Sequence, residues 1–124
     1  MNRSKENNPI LKLTFEFAVQ IVQYCEQLQN MKKYVIAQQL LKSGTSIGAN
    51  IKEAQNVESK ADFIHKLKIA FKEIEETEYW LEICETVDTY PNPNQLKEKL
   101  LEIRKIMAKI ISTAKNKNQH STSK

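Results

Sequence analysis

The chain has 124 residues, of which 40% are hydrophobic and 27% charged, the make-up of one soluble domain with a single core rather than of a disordered chain. Only two glycines and three prolines leave little material for hairpins, so helices joined by short connections are expected. The net charge is +4, no stretch approaches eighteen apolar residues, and the opening MNRSKENNP has no hydrophobic signal region; these features argue against a membrane span and for a cytoplasmic protein.

The first helix is predicted over residues 9–29, behind a polar arm at 1–8. Asn8-Pro9 is its start signal, with Asn as the N-cap and Pro at the first helical position. Leu11, Phe15, Ala18, Val22 and Cys25 recur at steps of four and three. A second stripe, Ile10, Phe17, Ile21, Tyr24 and Leu28, runs beside it, and the two make one wide apolar face over about twenty residues. The sequence QNMKK then breaks the pattern.

A second helix over 32–57 carries Ile36, Leu40, Ile47, Ile51 and Ala54 on one stripe, with Ala37, Leu41, Gly44 and Gly48 alongside. Both glycines of the chain therefore sit on the inward edge of one helix, where each lowers helix propensity by about 1 kcal/mol relative to alanine. A phosphate-cradling loop does not fit them, because no strand precedes and no Gly-Lys-Ser/Thr follows. The expected role of Gly44 and Gly48 is close helix packing, inside the bundle or across a subunit contact.

Ser59-x-x-Asp62 resembles a capping box and opens a third helix over 60–87. Its stripe, Phe63, Leu67, Ala70, Ile74, Thr77, Leu81 and Cys84, alternates fours and threes without a break. A second, partly apolar stripe of Ile69, Glu73, Glu76, Trp80, Ile83 and Val87 suggests a partner surface, and Glu73, Glu76, Trp80 and Ile83 are the expected oligomer interface. After DTYPNPN, Asn92-Pro93 starts a fourth helix over 93–115, with Leu96, Leu100, Ile103, Met107, Ile110 and Ala114 inward. Residues 116–124 read as a disordered tail. Four such helices with short links predict an all-α, antiparallel up-down-up-down four-helix bundle at 9–115.

Charge is sorted along this chain. Residues 1–72 balance to +5, residues 73–90 hold seven acids and no base, and residues 91–124 balance to +6. Folding an antiparallel bundle gathers the bases at one end and Glu73, Glu75, Glu76, Glu78, Glu82, Glu85 and Asp88 at the other. The basic pole would collect Lys12, Lys52, Lys60, Lys66, Lys68, Lys72, Lys109 and Lys115, with Arg3, Lys5 and Lys117 from the ends of the chain. Such a surface suits phosphate binding, and segregated charge also suits assembly of copies in which basic and acidic surfaces meet.

Catalytic chemistry is absent from the pattern. Asp62-x-x-His65 is half of a helical di-metal spacing without its other half, and the Glu73, Glu76 and Glu78 cluster lacks a nucleophile beside a base. No cofactor or metal is expected. Cys25 and Cys84 fall on apolar faces and read as reduced core residues.

The segments QLLKSGTSIGANIKEA and SKADFIHKLKIAFKEIEETEYWL, with the paired Asn-Pro starts, resemble the four-helix-bundle proteins encoded within intervening sequences of 23S ribosomal RNA genes, the S23 ribosomal protein family. The resemblance covers roughly residues 9–115. That family is similar in fold to the accessory variability determinant of diversity-generating retroelements, a positively charged pentameric ring that engages nucleic acid and a reverse transcriptase. The resemblance implies a homo-oligomer, with a pentamer as its form, affinity for RNA or DNA, and a nucleic-acid enzyme such as a reverse transcriptase as a partner. It carries no catalytic residue. The expectation is a non-enzymatic, oligomeric, nucleic-acid-binding protein; the alternative is a protein-interaction scaffold whose charges serve self-assembly only.

Overall fold

The computed structural model describes residues 8–122, with side chains through Asn116. Four helices follow one another: α1 (Pro9–Asn30), α2 (Tyr34–Ala54), α3 (Lys60–Thr86) and α4 (Asn94–Thr122). Each packs on the next in the chain, and α4 returns to α1, so the order around the bundle is the order in sequence. This is the expected all-α four-helix bundle, and no strand occurs among the described residues.

The start signals act as their chemistry requires. The Asn8 side chain accepts from the Ile10 N–H at 3.1 Å, and the Ser59 hydroxyl accepts from the Asp62 N–H at 3.0 Å. The Asn92 side chain accepts from Asn94 N–H at 2.8 Å, so α4 opens one residue later than the sequence suggests. Between α1 and α2 the chain turns through Lys32 at φ 64°, the left-handed conformation in which a helix end commonly reverses. At its far end α4 continues to Thr122, beyond the expected stop at 115, so the backbone of 116–122 is helical rather than a loose tail. The expected flexible arm at 1–7 and residues 123–124 lie outside the described residues.

The core follows the predicted stripes of α2, α3 and α4 closely. Leu40, Ile47 and Ile51 of α2, Leu67, Ile74 and Leu81 of α3, and Leu100, Ile103 and Met107 of α4 are all fully buried. Helix α1 buries only part of its expected wide apolar face. Its core face is the second stripe, Ile10, Phe17, Ile21, Tyr24 and Leu28, whereas of the first only Cys25 is buried. Leu11 and Ala18 are half-buried, and Phe15 is 68% exposed with Val19 and Val22 beside it. The apolar arc of α1 is wider than α2 and α4 together can cover.

The glycines explain how α1 and α2 approach. A Cβ at Gly44 would stand 2.9 Å from both Cγ1 and Cγ2 of Ile21, and one at Gly48 would stand 3.1 Å from Thr14 Oγ1. Their neighbour is therefore α1 of the same chain. Two polar devices complete the interior. The Ser43 and Thr77 hydroxyls lie 2.9 Å apart across α2 and α3, Thr77 also donating to Glu73 O at 2.7 Å. The Tyr24 hydroxyl donates to Pro91 O at 2.5 Å, tying the α3–α4 connection to α1.

Candidate nucleic-acid interface

Helix phase decides which lysines of the basic pole share a surface. Lys68 and Lys72 of α3 and Lys115 of α4 line one groove on the outer face of the α3–α4 pair, about 630 Å³ in volume, floored by Phe71, Ala108 and Ile111. Lys60 and Lys109 line a second crevice of about 480 Å³ on the other side of α4. Lys12 and Lys52 belong elsewhere, to the groove between α1 and α2. Lys66 is held by Glu53 at 2.7 Å. Arg3 and Lys5, and the side chain of Lys117, lie outside the described residues.

Registers set the shape of this end. Ser43 stands opposite Thr77 and Glu53 opposite Lys66, so the first turn and a half of α3 extends past the end of α2. Lys60 lies on that projecting stretch, whereas Lys68 and Lys72 lie farther along α3, where α2 flanks it, and share their groove with Lys115 of α4.

Like charges are neighbours in that groove. The Lys115 amino group pulls Lys68 below the ordinary lysine value, by a hydrogen bond that only the neutral Lys68 amine can accept and by charge repulsion, although Lys68 is fully solvent-exposed. None of Lys68, Lys72 and Lys115 enters an ion pair among the described residues. The acidic end differs. Arg104 reaches Glu78 at 2.6 Å and Glu75 at 3.9 Å while its guanidinium lies 4.9 Å over the Phe71 ring, and Lys97 holds Glu85. Arg104 thus divides the α3–α4 groove into a basic half and an acidic half.

The Glu73, Glu76, Trp80 and Ile83 stripe lies toward α2. Trp80 is half-buried against the core, stacks edge-on with Tyr79 and donates weakly to Glu76 at 3.4 Å. Ile36 and Gln39 of α2 share its surroundings. Burial raises the Glu73 carboxyl above the usual range, repulsion from Glu76 adds to this, and Lys42 and Lys72 partly offset it. The larger exposed apolar surface lies on α1, at Phe15, Val19 and Val22. In sequence these positions could not be told from core.

His65 is exposed and Asp62 serves the α3 cap, and no group of three or more metal-ligating side chains forms among the described residues. Cys25 and Cys84 are free and buried; burial, with Cys84 adding, pushes the Cys25 thiol up to about 12. No helix among the described residues is long and apolar enough to cross a membrane.

No curated protein matches the chain significantly. A crystal structure of a protein with unknown function from the S23 ribosomal protein family of Bacteroides thetaiotaomicron VPI-5482 is 44% identical to it. The match covers 82% of this chain and 97% of that one at a TM-score of 0.79. Residues 6–112, the whole bundle short of the last turns of α4, match the family described as 23S rRNA-intervening sequence protein. Fold, length of match and identity agree, and the chain belongs to the 23S rRNA-intervening sequence protein family.

Proposed function

We propose that this protein is a non-catalytic, self-associating bundle that binds RNA or DNA through the lysines of the α3–α4 groove. The observation that carries the reading is the groove that Lys68, Lys72 and Lys115 line together, none of them ion-paired among the described residues. A phosphodiester placed between them would relieve their repulsion and release condensed counterions, a sequence-independent source of affinity. The groove floor is aliphatic apart from Phe71, and that ring is already occupied by Arg104. It offers no free stacking platform, which favours backbone binding over base readout. Self-association would set several basic grooves on one particle and raise avidity without new contacts.

The test is binding of a labelled structured RNA and a matched DNA duplex between about 50 and 300 mM salt, the range over which phosphate contacts weaken steeply. Lys68→Ala, Lys72→Ala and Lys115→Ala combined should weaken binding across sequences and reduce the salt slope by about 2 to 3. No binding at the lowest salt, or an unchanged slope in the triple variant, rejects the reading. A scaffold whose charges serve assembly only is the second reading, favoured by the exposed apolar face of α1.

A further inference from the structure

The crevice lined by Lys60 and Lys109 owes its existence to helix register. Helix α2 ends at Ala54, next to Glu53, the partner of Lys66, so Lys60 and Phe63 run past it. Lys99 of α4 reaches Glu16 of α1 at 3.5 Å, which sets Pro9, the start of α1, level with about Ile106. Ile110 and Ala114 therefore run past α1. Among the described residues, the crevice is walled by α3 and α4 alone.

Burial records the loss of cover. Leu67 and Met107 are fully buried, yet Phe63, Ile110 and Ala114, which continue the same inward stripes, are only half-buried, as is Ile106. The apolar lining is thus an open continuation of the core, about 480 Å³ in volume and within the range of small-molecule sites. Lys60 and Lys109 are both exposed, and neither is ion-paired among the described residues. No acidic side chain among those residues lines the crevice, and its one other polar side chain is Thr113. The start of the chain is a poor cover, since residues 1–7 hold Met1 as their one apolar side chain and add the cations Arg3 and Lys5.

We propose that this crevice binds one free, single-chain fatty carboxylate, its hydrocarbon laid along Phe63, Ile106, Ile110 and Ala114 and its carboxylate held by Lys60 and Lys109. The tail restores apolar cover to a stretch of core that α1 and α2 stop short of. The head supplies the negative charge that two unpaired ammonium groups lack, with two oxygens that can each accept from one of them. Lys68, Lys72 and Lys115 lie in a different groove, so the site stands or falls independently of nucleic-acid binding.

The experiment is titration of purified full-length protein with dodecanoate, kept below the concentration at which it forms micelles, followed by calorimetry and by isoleucine methyl NMR. One equivalent should bind, and the Ile106 and Ile110 methyls should shift while those of the fully buried Ile21 and Ile47 stay in place. Shortening the chain by two methylenes should weaken binding about 4-fold, because an open crevice buries each methylene only in part. Dodecylammonium, which presents a cation to the two lysines, should bind at least about 10-fold more weakly. Lys60→Glu combined with Lys109→Glu should weaken dodecanoate binding about 10-fold or more. Both positions are exposed, and cooperative thermal melts check the fold; Lys60→Gln with Lys109→Gln serves if the reversal does not fold. Absence of binding below the micelle concentration, shifts confined to other isoleucines, equal binding of dodecylammonium, or full affinity in the charge variant would each overturn the proposal.

Discussion

Gly44→Ala separates packing from propensity at a single atom. In an unconstrained helix interior the change stabilises by about 0.5–1 kcal/mol, because glycine loses the most conformational freedom on folding. Here the new methyl would lie 2.9 Å from two carbons of Ile21 and 3.1 Å from its Cδ1. Ile21 is fully buried and its contacts involve both branches at Cβ, so no flexible tip can swing aside. Overpacking of this kind costs about 1–3 kcal/mol. The balance is a loss of about 1 kcal/mol, which for a chain of 124 residues lowers Tm by about 4 °C. Thermal melts and urea unfolding at one fixed protein concentration would read it. The decisive arm is a double-mutant cycle with Ile21→Ala, which removes the atoms that clash. Gly44→Ala should then become neutral or stabilising, giving a coupling of about 1–2 kcal/mol. Additivity within about 0.5 kcal/mol would refute the claim that Ile21 is what keeps this position glycine.

Gly48→Ala meets Thr14 at Oγ1 (3.1 Å), Cβ (3.3 Å) and the backbone carbon (3.5 Å), looser than the contacts at Gly44, so the gain in helix propensity should nearly offset the crowding and stability should change by less than about 0.5 kcal/mol in the same melts. Thr77→Val leaves the buried Ser43 hydroxyl with only a long 3.5 Å contact to Leu40 O and should destabilise by about 1–2 kcal/mol. Adding Ser43→Ala should recover part of that loss, which urea unfolding would register. Lys68 should titrate below the ordinary lysine value in side-chain NMR, because Lys115 favours its neutral form by a hydrogen bond and by repulsion; Lys115→Ala or added polyphosphate should move its midpoint upward. A midpoint unmoved by either change would show that the two ammonium groups do not interact. Burial raises both Cys25 and Cys84 above the ordinary thiol value, so neither should react with a disulfide reagent at neutral pH until the protein is unfolded.

Helix α3 was legible from the sequence almost residue by residue, because its inward stripe is unbroken and the stripe beside it is interrupted by Glu73 and Glu76. Six of its seven expected core residues are fully buried and Phe63 is half-buried. Helix α1 was not, since two apolar stripes lie side by side and periodicity cannot say which one the neighbours will cover. Only the crossing of α1 over Gly44 and Gly48 settles that Ile21 and Thr14 face inward and Phe15 outward. Linear blocks of charge were enough to foresee a basic and an acidic end. They did not separate Lys12 and Lys52 from Lys68, Lys72 and Lys115, or assign Lys66 to Glu53, because those pairings depend on the rotation of each helix and on inter-helix register. The extension of α4 past Ala114 also escaped the pattern, since that segment is held by backbone hydrogen bonding without an apolar face to announce it.

Charge sorted end to end has a kinetic side as well as an energetic one. A bundle with lysines in the basic half of its α3–α4 groove and glutamates toward the α3–α4 turn carries a permanent dipole along its long axis, which the modest net charge of +4 conceals. The field of a polyanion exerts a torque on that dipole, so the molecule turns its basic end forward before any atom touches. Diluting the salt would therefore accelerate productive encounters beyond what four charges spread evenly over the same surface could achieve.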